Sequence, residues 1–196
     1  MASNVQIAKL ALQHIGDRWD ITALDDASPE AEQVSLIFDD TRDALLWAHP
    51  WGFAKKFTSP AALSGTVPGN WDYMYTYMTD ALTVRGIIDP TKENLTIKFE
   101  VARNSSGAKV ILTNQEDPEF VYTQAITDPN EFDPQFVLAF SYMLASRLAI
   151  PLTGDGSIAQ AMLQQALISV GAAEETDSNE GVEPDKPEAS WITARI

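Results

Sequence analysis

Between Asp133-Pro134 and Pro151 runs a stretch, 136–150, that would be apolar on nearly every side of a helix, interrupted only by Ser141, Ser146 and Arg147. Aspartate before proline is a cap-plus-proline helix start, and Pro151 is expected to stop the helix. A helix with no polar face cannot lie at a surface, so this one must be central and other elements must cover it. The rest of the chain is therefore read for what surrounds it.

Two amphipathic helices precede it. Ser3 with Gln6 forms a capping-box pattern, after which Val5, Ala8, Leu12 and Ile15 share one stripe until Gly16. Ser28-Pro29 opens a longer helix in which Ala31, Val34, Phe38 and Leu45 keep helical spacing up to His49-Pro50. One helix follows, with a capping box expected at Ser157 and Gln160 and a stripe of Ala159, Met162, Leu163, Ala166 and Val170.

From Trp51 to about Gln124 the period changes. Trp71, Tyr73, Tyr75 and Tyr77 fall on one parity, as do Leu95, Ile97, Phe99 and Val101. That is strand spacing. Asn104-Ser105-Ser106-Gly107 has turn chemistry and leads into Val110-Ile111-Leu112, so a hairpin is expected, with Phe120 to Tyr122 as a further strand. The expected class is α+β: a four-helix bundle with an inserted small antiparallel β-sheet subdomain and an extended C-terminal arm. Residues 1–50 carry helices one and two, 51–124 the β insertion, 125–172 helices three and four, and 173–196 the arm. The arm is expected to be extended, because Glu174-Glu175-Thr176-Asp177 and Pro184 and Pro187 supply no core. Its end, with Trp191, Ile192, Arg195 and Ile196, has the composition of an anchor for a partner surface.

Composition narrows the chemistry. The 196 residues include 28 acidic and 13 basic side chains, a net charge of −15, two histidines and no cysteine. Disulfides, thiolate metal sites and cysteine nucleophiles are thereby excluded, and a grip on nucleic acid, which needs Lys and Arg rows, is disfavoured. No phosphate-binding loop, nucleophile elbow or calcium-loop pattern occurs; Thr153-Gly154-Asp155-Gly156-Ser157 reads as an interhelical turn. His14 and His49 fall at helix ends, where packing or capping explains them. Asp25-Asp26 and Asp39-Asp40-Asp43 read as solvated acidic faces. The aromatic run of Trp71, Tyr73, Tyr75 and Tyr77 lacks Lys and Arg, which favours sheet core or a protein interface over a base-stacking platform. No catalytic residue, metal ligand or cofactor site is expected, and nothing marks a secretory leader or membrane span.

Read in order, several landmarks resemble one family. They are Ala11-Leu12-Gln13-His14-Ile15-Gly16, Ile21-Thr22-Ala23-Leu24-Asp25-Asp26, the His49-Pro50-Trp51-Gly52-Phe53-Ala54 corner, Trp71-x-Tyr73-x-Tyr75, Ile111-Leu112-Thr113-Asn114, the Asp133-Pro134-x-Phe136 helix and the terminal Ser190-Trp191-Ile192-x-Ala194-Arg195. The chain is similar to the tail tubular protein A family, the head-to-tail adaptors of short-tailed bacteriophages. That family often has a proline before the aspartate after the tyrosine strand and a cysteine after it; Met78-Thr79-Asp80-Ala81 has neither. The resemblance implies a virion neck protein, made in the host cytoplasm: a ring, usually dodecameric, joining the portal protein to the tail nozzle or tail tube. DNA would pass through its lumen without tight binding. It also implies that Trp191, Ile192, Arg195 and Ile196 meet the portal or a neighbouring subunit, with Trp71, Tyr73, Tyr75 and Tyr77 as a possible subunit or tail interface. Two other classes stay open on the residues alone, a tail-associated wall-degrading hydrolase using two carboxylates and a monomeric peptide-binding module.

Overall fold

The computed structural model describes residues 3–16, 21–88 and 97–180. Four α-helices occur among them, α1 (Asn4–His14), α2 (Pro29–Ala48), α3 (Pro134–Thr153) and α4 (Gly156–Asn179). Between α2 and α3 lie β1 (Lys55–Thr58), β2 (Tyr73–Thr76), β3 (Ala81–Ile88), β4 (Phe99–Arg103), β5 (Lys109–Thr113) and β6 (Glu119–Gln124). The protein is thus mixed α and β.

Local chemistry sets the first two helix starts as expected. The Ser3 hydroxyl accepts from the Gln6 N–H while Gln6 Oε1 accepts from the Ser3 N–H, and Ser28 accepts from the Ala31 N–H with Pro29 at the first helical position. Gly16, at φ +79°, follows the end of α1 in the left-handed region.

The other two starts are built differently. Asp133 stands at the N-cap of α3 but makes no side-chain cap bond. In α4 the cap is Asp155 rather than Ser157: its carboxylate accepts from the Ser157 N–H at 2.8 Å and from the Ser157 hydroxyl at 2.7 Å. The hydroxyl expected to cap the helix is therefore spent on the residue that does. Nor does Pro151 end α3, which runs to Thr153 and closes at Gly154, φ +70°. In the last turn a proline forgoes a single backbone bond, and the Gly154 N–H returns to the Ile150 carbonyl at 2.9 Å.

α3 is the hub. Phe136, Phe140, Leu144, Ala145, Leu148 and Ala149 are buried, and α1, α2 and α4 each pack against this helix. It has the length and apolarity of a membrane span; one part of that apolarity is the buried face just named, while Leu138 and Ile150 stay exposed. Phe136 lies within 5.1 Å, between ring centroids, of each of Trp51, Phe53 and Phe132 and 6.2 Å from Phe140. Trp51 reaches this cluster from the corner after α2, its indole N–H donating to the Leu45 carbonyl at 2.9 Å.

The β region forms two three-stranded antiparallel sheets, in the orders β1-β6-β3 and β2-β5-β4, where one small sheet was expected. Tyr75, Ile87, Ile111 and Phe120 form a cluster drawn from both. On the other parity of the second sheet, Met74, Val110 and Leu112 are covered by Leu63, Val67 and Trp71. With two clusters to fill, β5 buries Val110, Ile111 and Leu112 alike and shows no alternation. The β4–β5 turn is as expected: Asn104 Oδ1 accepts from the N–H groups of Ser106 and Ala108, and Gly107 takes φ +83°. Leu95 lies outside the described residues.

The largest departure is at the end of α4. Residues 173–179 continue the helix where an extended arm was expected. Ala173 is buried and Asp177 is tied to the corner after α2, so tertiary bonds hold in helical form a sequence that has little apolar surface of its own.

Candidate interaction surfaces and polar sites

The four aromatics of the tyrosine strand do not make one exposed row. Tyr75 is 1% exposed, part of the cluster drawn from both sheets, with its hydroxyl donating to the Gln115 carbonyl at 3.2 Å; burial raises its phenol pKa. It is sheet core and is removed from the candidate interface. Tyr73 and Tyr77 are partly buried against the same cluster, Tyr77 beneath the Lys109 ammonium at 3.6 Å. Trp71 leaves their parity because the strand begins only at Tyr73; it packs against the Met74 cluster and its indole N–H donates to Glu100 at 3.2 Å. There it lines an open hollow of about 600 Å³ with Gly69, Lys98, Glu100 and Asn114. The anchor residues Trp191, Ile192, Arg195 and Ile196 lie outside the described residues.

Both histidines are engaged in packing. His14 stacks on Tyr142 with ring centroids 4.0 Å apart, and its Nε2 lies 3.1 Å from the Ser141 hydroxyl; burial lowers its pKa. The acidic faces prove less uniform than their composition. Asp39 and Asp43 clasp the buried Arg42 at 2.7 and 2.8 Å. Asp26 accepts from the N–H groups of Ala23 and Thr22 and from the Thr22 hydroxyl, bonds that hold its pKa down and shape the α1–α2 link. Lys56, Asp80 and Tyr122 form a three-way contact, Nζ to Oδ2 at 2.8 Å and phenol to Oδ1 at 3.1 Å, that joins β1, β6 and the turn before β3.

The most organised polar site was not singled out by the sequence. Asp177, near the end of α4, accepts from the Gly52 N–H at 2.6 Å and from His49 Nε2 at 3.0 Å, with Glu174 3.9 Å from the other ring nitrogen. A Cβ at Gly52 would stand 3.0 Å from Asp177 Oδ1, so the carboxylate would have to give by a few tenths of an ångström to admit one. Beside it, Trp51, Asp133, Phe136, Thr176, Asp177 and Glu180 line a concavity of about 250 Å³. Asp133 has its pKa raised, by burial first and then by Glu180 and Asp177. No signal along the chain pairs position 52 with position 177.

The sign of that shift fixes how stability depends on pH. An acid whose folded pKa is raised binds protons more readily in the folded state, so its contribution to stability is present at acid pH and lost as pH rises through the folded pKa. Asp133→Asn should therefore raise the melting temperature at pH 7, and the gain over wild type should shrink as pH falls through the carboxylate range. Calorimetry across pH 3 to 8 measures it; a gain that grew on acidification would contradict the assignment.

Among the described residues no group of three or more histidine, aspartate or glutamate side chains is placed to hold a metal ion. No protein-family model matches the chain, and no curated protein matches it.

Proposed function

We propose that this protein is a non-enzymatic virion structural protein, a head-to-tail adaptor whose ring, of dodecameric symmetry by the family resemblance, joins portal to tail nozzle or tube around passing DNA. In this reading the four helices act as one bundle, the β insertion is carried on it, and the terminal Trp191, Ile192, Arg195 and Ile196 engage the portal or a neighbouring subunit. The observation that carries the reading is the ordered set of family-like landmarks along almost the whole sequence. Their placement supports it: the His49-Pro50-Trp51-Gly52-Phe53-Ala54 corner holds the junction of α2, α3 and α4, and the Phe136 helix is the hub of the core. A net charge of −15 suits a passage through which phosphates slide without sticking.

Electron microscopy of the protein mixed with its portal protein tests the proposal, with symmetric density capping the portal expected. Deleting residues 190–196 should leave the melting temperature nearly unchanged and reduce docking at least tenfold, since an aromatic and aliphatic anchor dominates the contribution of an acidic strap. A truncated protein that melts several degrees lower yet docks normally would assign Trp191 to its own core.

One observation favours a second reading. Asp133, its pKa raised by burial first and then by Glu180 and Asp177, lies in a concavity lined by Trp51 and Phe136, an environment in which a carboxyl can serve as a general acid. Peptidoglycan turnover abolished by Asp133→Asn would establish that hydrolase reading. Both Asp177 oxygens are already engaged by Gly52 and His49, which favours a structural role for the pair.

A further inference from the structure

One end of the second sheet, where β2 and β4 both begin opposite the last residue of β5, gathers polar side chains whose hydrogen-bonding capacity is only half used. The hollow of about 600 Å³ that Trp71 lines opens there. Asn114 Oδ1 accepts from the Asp72 N–H at 3.0 Å, which fixes the carboxamide and leaves its Nδ2 to donate elsewhere. Gln115 is held from the opposite end, its Nε2 donating to the Glu116 carbonyl at 3.0 Å and its Oε1 left to accept. Glu100 spends Oε2 on the Trp71 indole N–H at 3.2 Å and keeps Oε1. Among the described residues, the exposed Asn70 carboxamide and Lys98 ammonium have no side-chain hydrogen bond or ion pair.

Their chemistry selects the ligand. Trp71 is half-buried and held twice, by Glu100 and by packing on the Met74 cluster, so its indole is a fixed apolar plate. Carboxamides combine a donor with an acceptor, which matches hydroxyl groups that themselves do both. Lys98 and Glu100 cancel, leaving the described lining without net charge. A phosphate or nucleotide would need surplus cations, the more so on a chain of net charge −15. A peptide would be caught by main-chain groups along a strand edge, whereas the free groups here are on side chains. A pyranose has what this lining lacks: an apolar C–H face for the indole, ringed by neutral hydroxyls. The hollow is also within the range of small-molecule sites, roughly 300 to 1,000 Å³.

We propose that the Trp71 hollow is a binding site for a neutral saccharide, with a sugar ring against the indole and its hydroxyls held by Asn70, Lys98, Glu100, Asn114 and Gln115. Glu100 is the only carboxylate in the described lining. Glycoside hydrolysis uses two, so this site retains a sugar without cleaving it. The inference goes beyond the adaptor reading and does not rest on it.

The test is titration of the full-length protein with four neutral trisaccharides, cellotriose, maltotriose, mannotriose and triacetylchitotriose, followed by NMR. At least one should bind with a Kd of about 1 mM or tighter and shift the Trp71 indole N–H resonance more than that of any other tryptophan. Asn70→Ala and Lys98→Ala remove side chains that hold nothing else in place, and each should weaken binding of that sugar by about fivefold with the melting temperature unchanged. Trp71→Ala should abolish binding; should that variant not fold, Asn70→Ala and Lys98→Ala decide alone. Trp47→Ala, which removes a tryptophan 60% exposed on α2, should leave binding intact. Four results would each overturn the proposal: no binding of any of the four sugars up to about 10 mM, affinity unaltered in both Asn70→Ala and Lys98→Ala, loss of binding in Trp47→Ala, or tighter binding of the anionic probes sialyllactose or AMP than of any neutral trisaccharide.

Discussion

Replacing Phe136 with alanine is expected to lower the unfolding free energy by about 3 to 5 kcal/mol, the range for removing a large aromatic from a packed core. The side chain is fully buried and touches four other aromatic rings, two of them, Trp51 and Phe53, contributed by the corner after α2. Those rings are held by independent elements, so they cannot all move inward to fill the space left behind. A cavity persists, and its lining loses dispersion contacts as well as burial. Leu144→Ala, one helical face further along and equally buried, should cost about 2 to 5 kcal/mol through the same mechanism. At roughly 2 to 4 °C per kcal/mol for a domain of this size, either variant should melt well below wild type. Chemical denaturation with unchanged slope measures the effect, and a loss under about half a kcal/mol would mean that α3 is not the hub.

That α3 is central was readable in advance because its demand is local and absolute: no arrangement of 136–150 gives the helix a polar face. The Ser3 box, the Ser28-Pro29 start and the Asn104 turn were readable for a related reason, each being completed within four residues. Features that depend on distant partners were not. The pairing of β3 with β6 shifts register twice, at Ala81/Thr83 and Val84/Gly86, which breaks the alternation by which a strand is recognised. Arg85 at its centre donates to the carbonyls of Trp47 and His49 at 2.7 and 3.0 Å, closing the end of α2 from a different element, which no helix-end pattern announces. Tyr75 shares its parity with Tyr73 and Tyr77, yet the meeting of two sheets makes it core. The acidic composition of 174–179 argued correctly that the segment lacks apolar surface and wrongly that it is therefore extended, because one carboxylate finds its donors more than a hundred residues away.

Asp177→Ala is expected to cost about 1 to 3 kcal/mol, the range for leaving buried hydrogen-bonding partners unsatisfied. The carboxylate is 8% exposed, and its removal strips the Gly52 N–H of its acceptor and His49 of its 3.0 Å contact. The loss should be concentrated in one place. Ala173 is the last buried residue of α4, so beyond it the Asp177 bonds are what holds the final turns against the corner. Amide exchange at 174–180 should accelerate by at least tenfold while that of α3 changes only by the global loss of stability. Asp177→Asn retains an oxygen that can accept from the Gly52 N–H and should recover part of the difference. Removing the negative charge also relieves Asp133, whose pKa should fall in both variants, giving an NMR titration that a purely steric role for Asp177 would not move. If α4 keeps its exchange protection to Asn179 in Asp177→Ala, its last turns are held by helix propensity alone. The Asp177 bonds then have no part in fixing the end of α4 against the corner after α2.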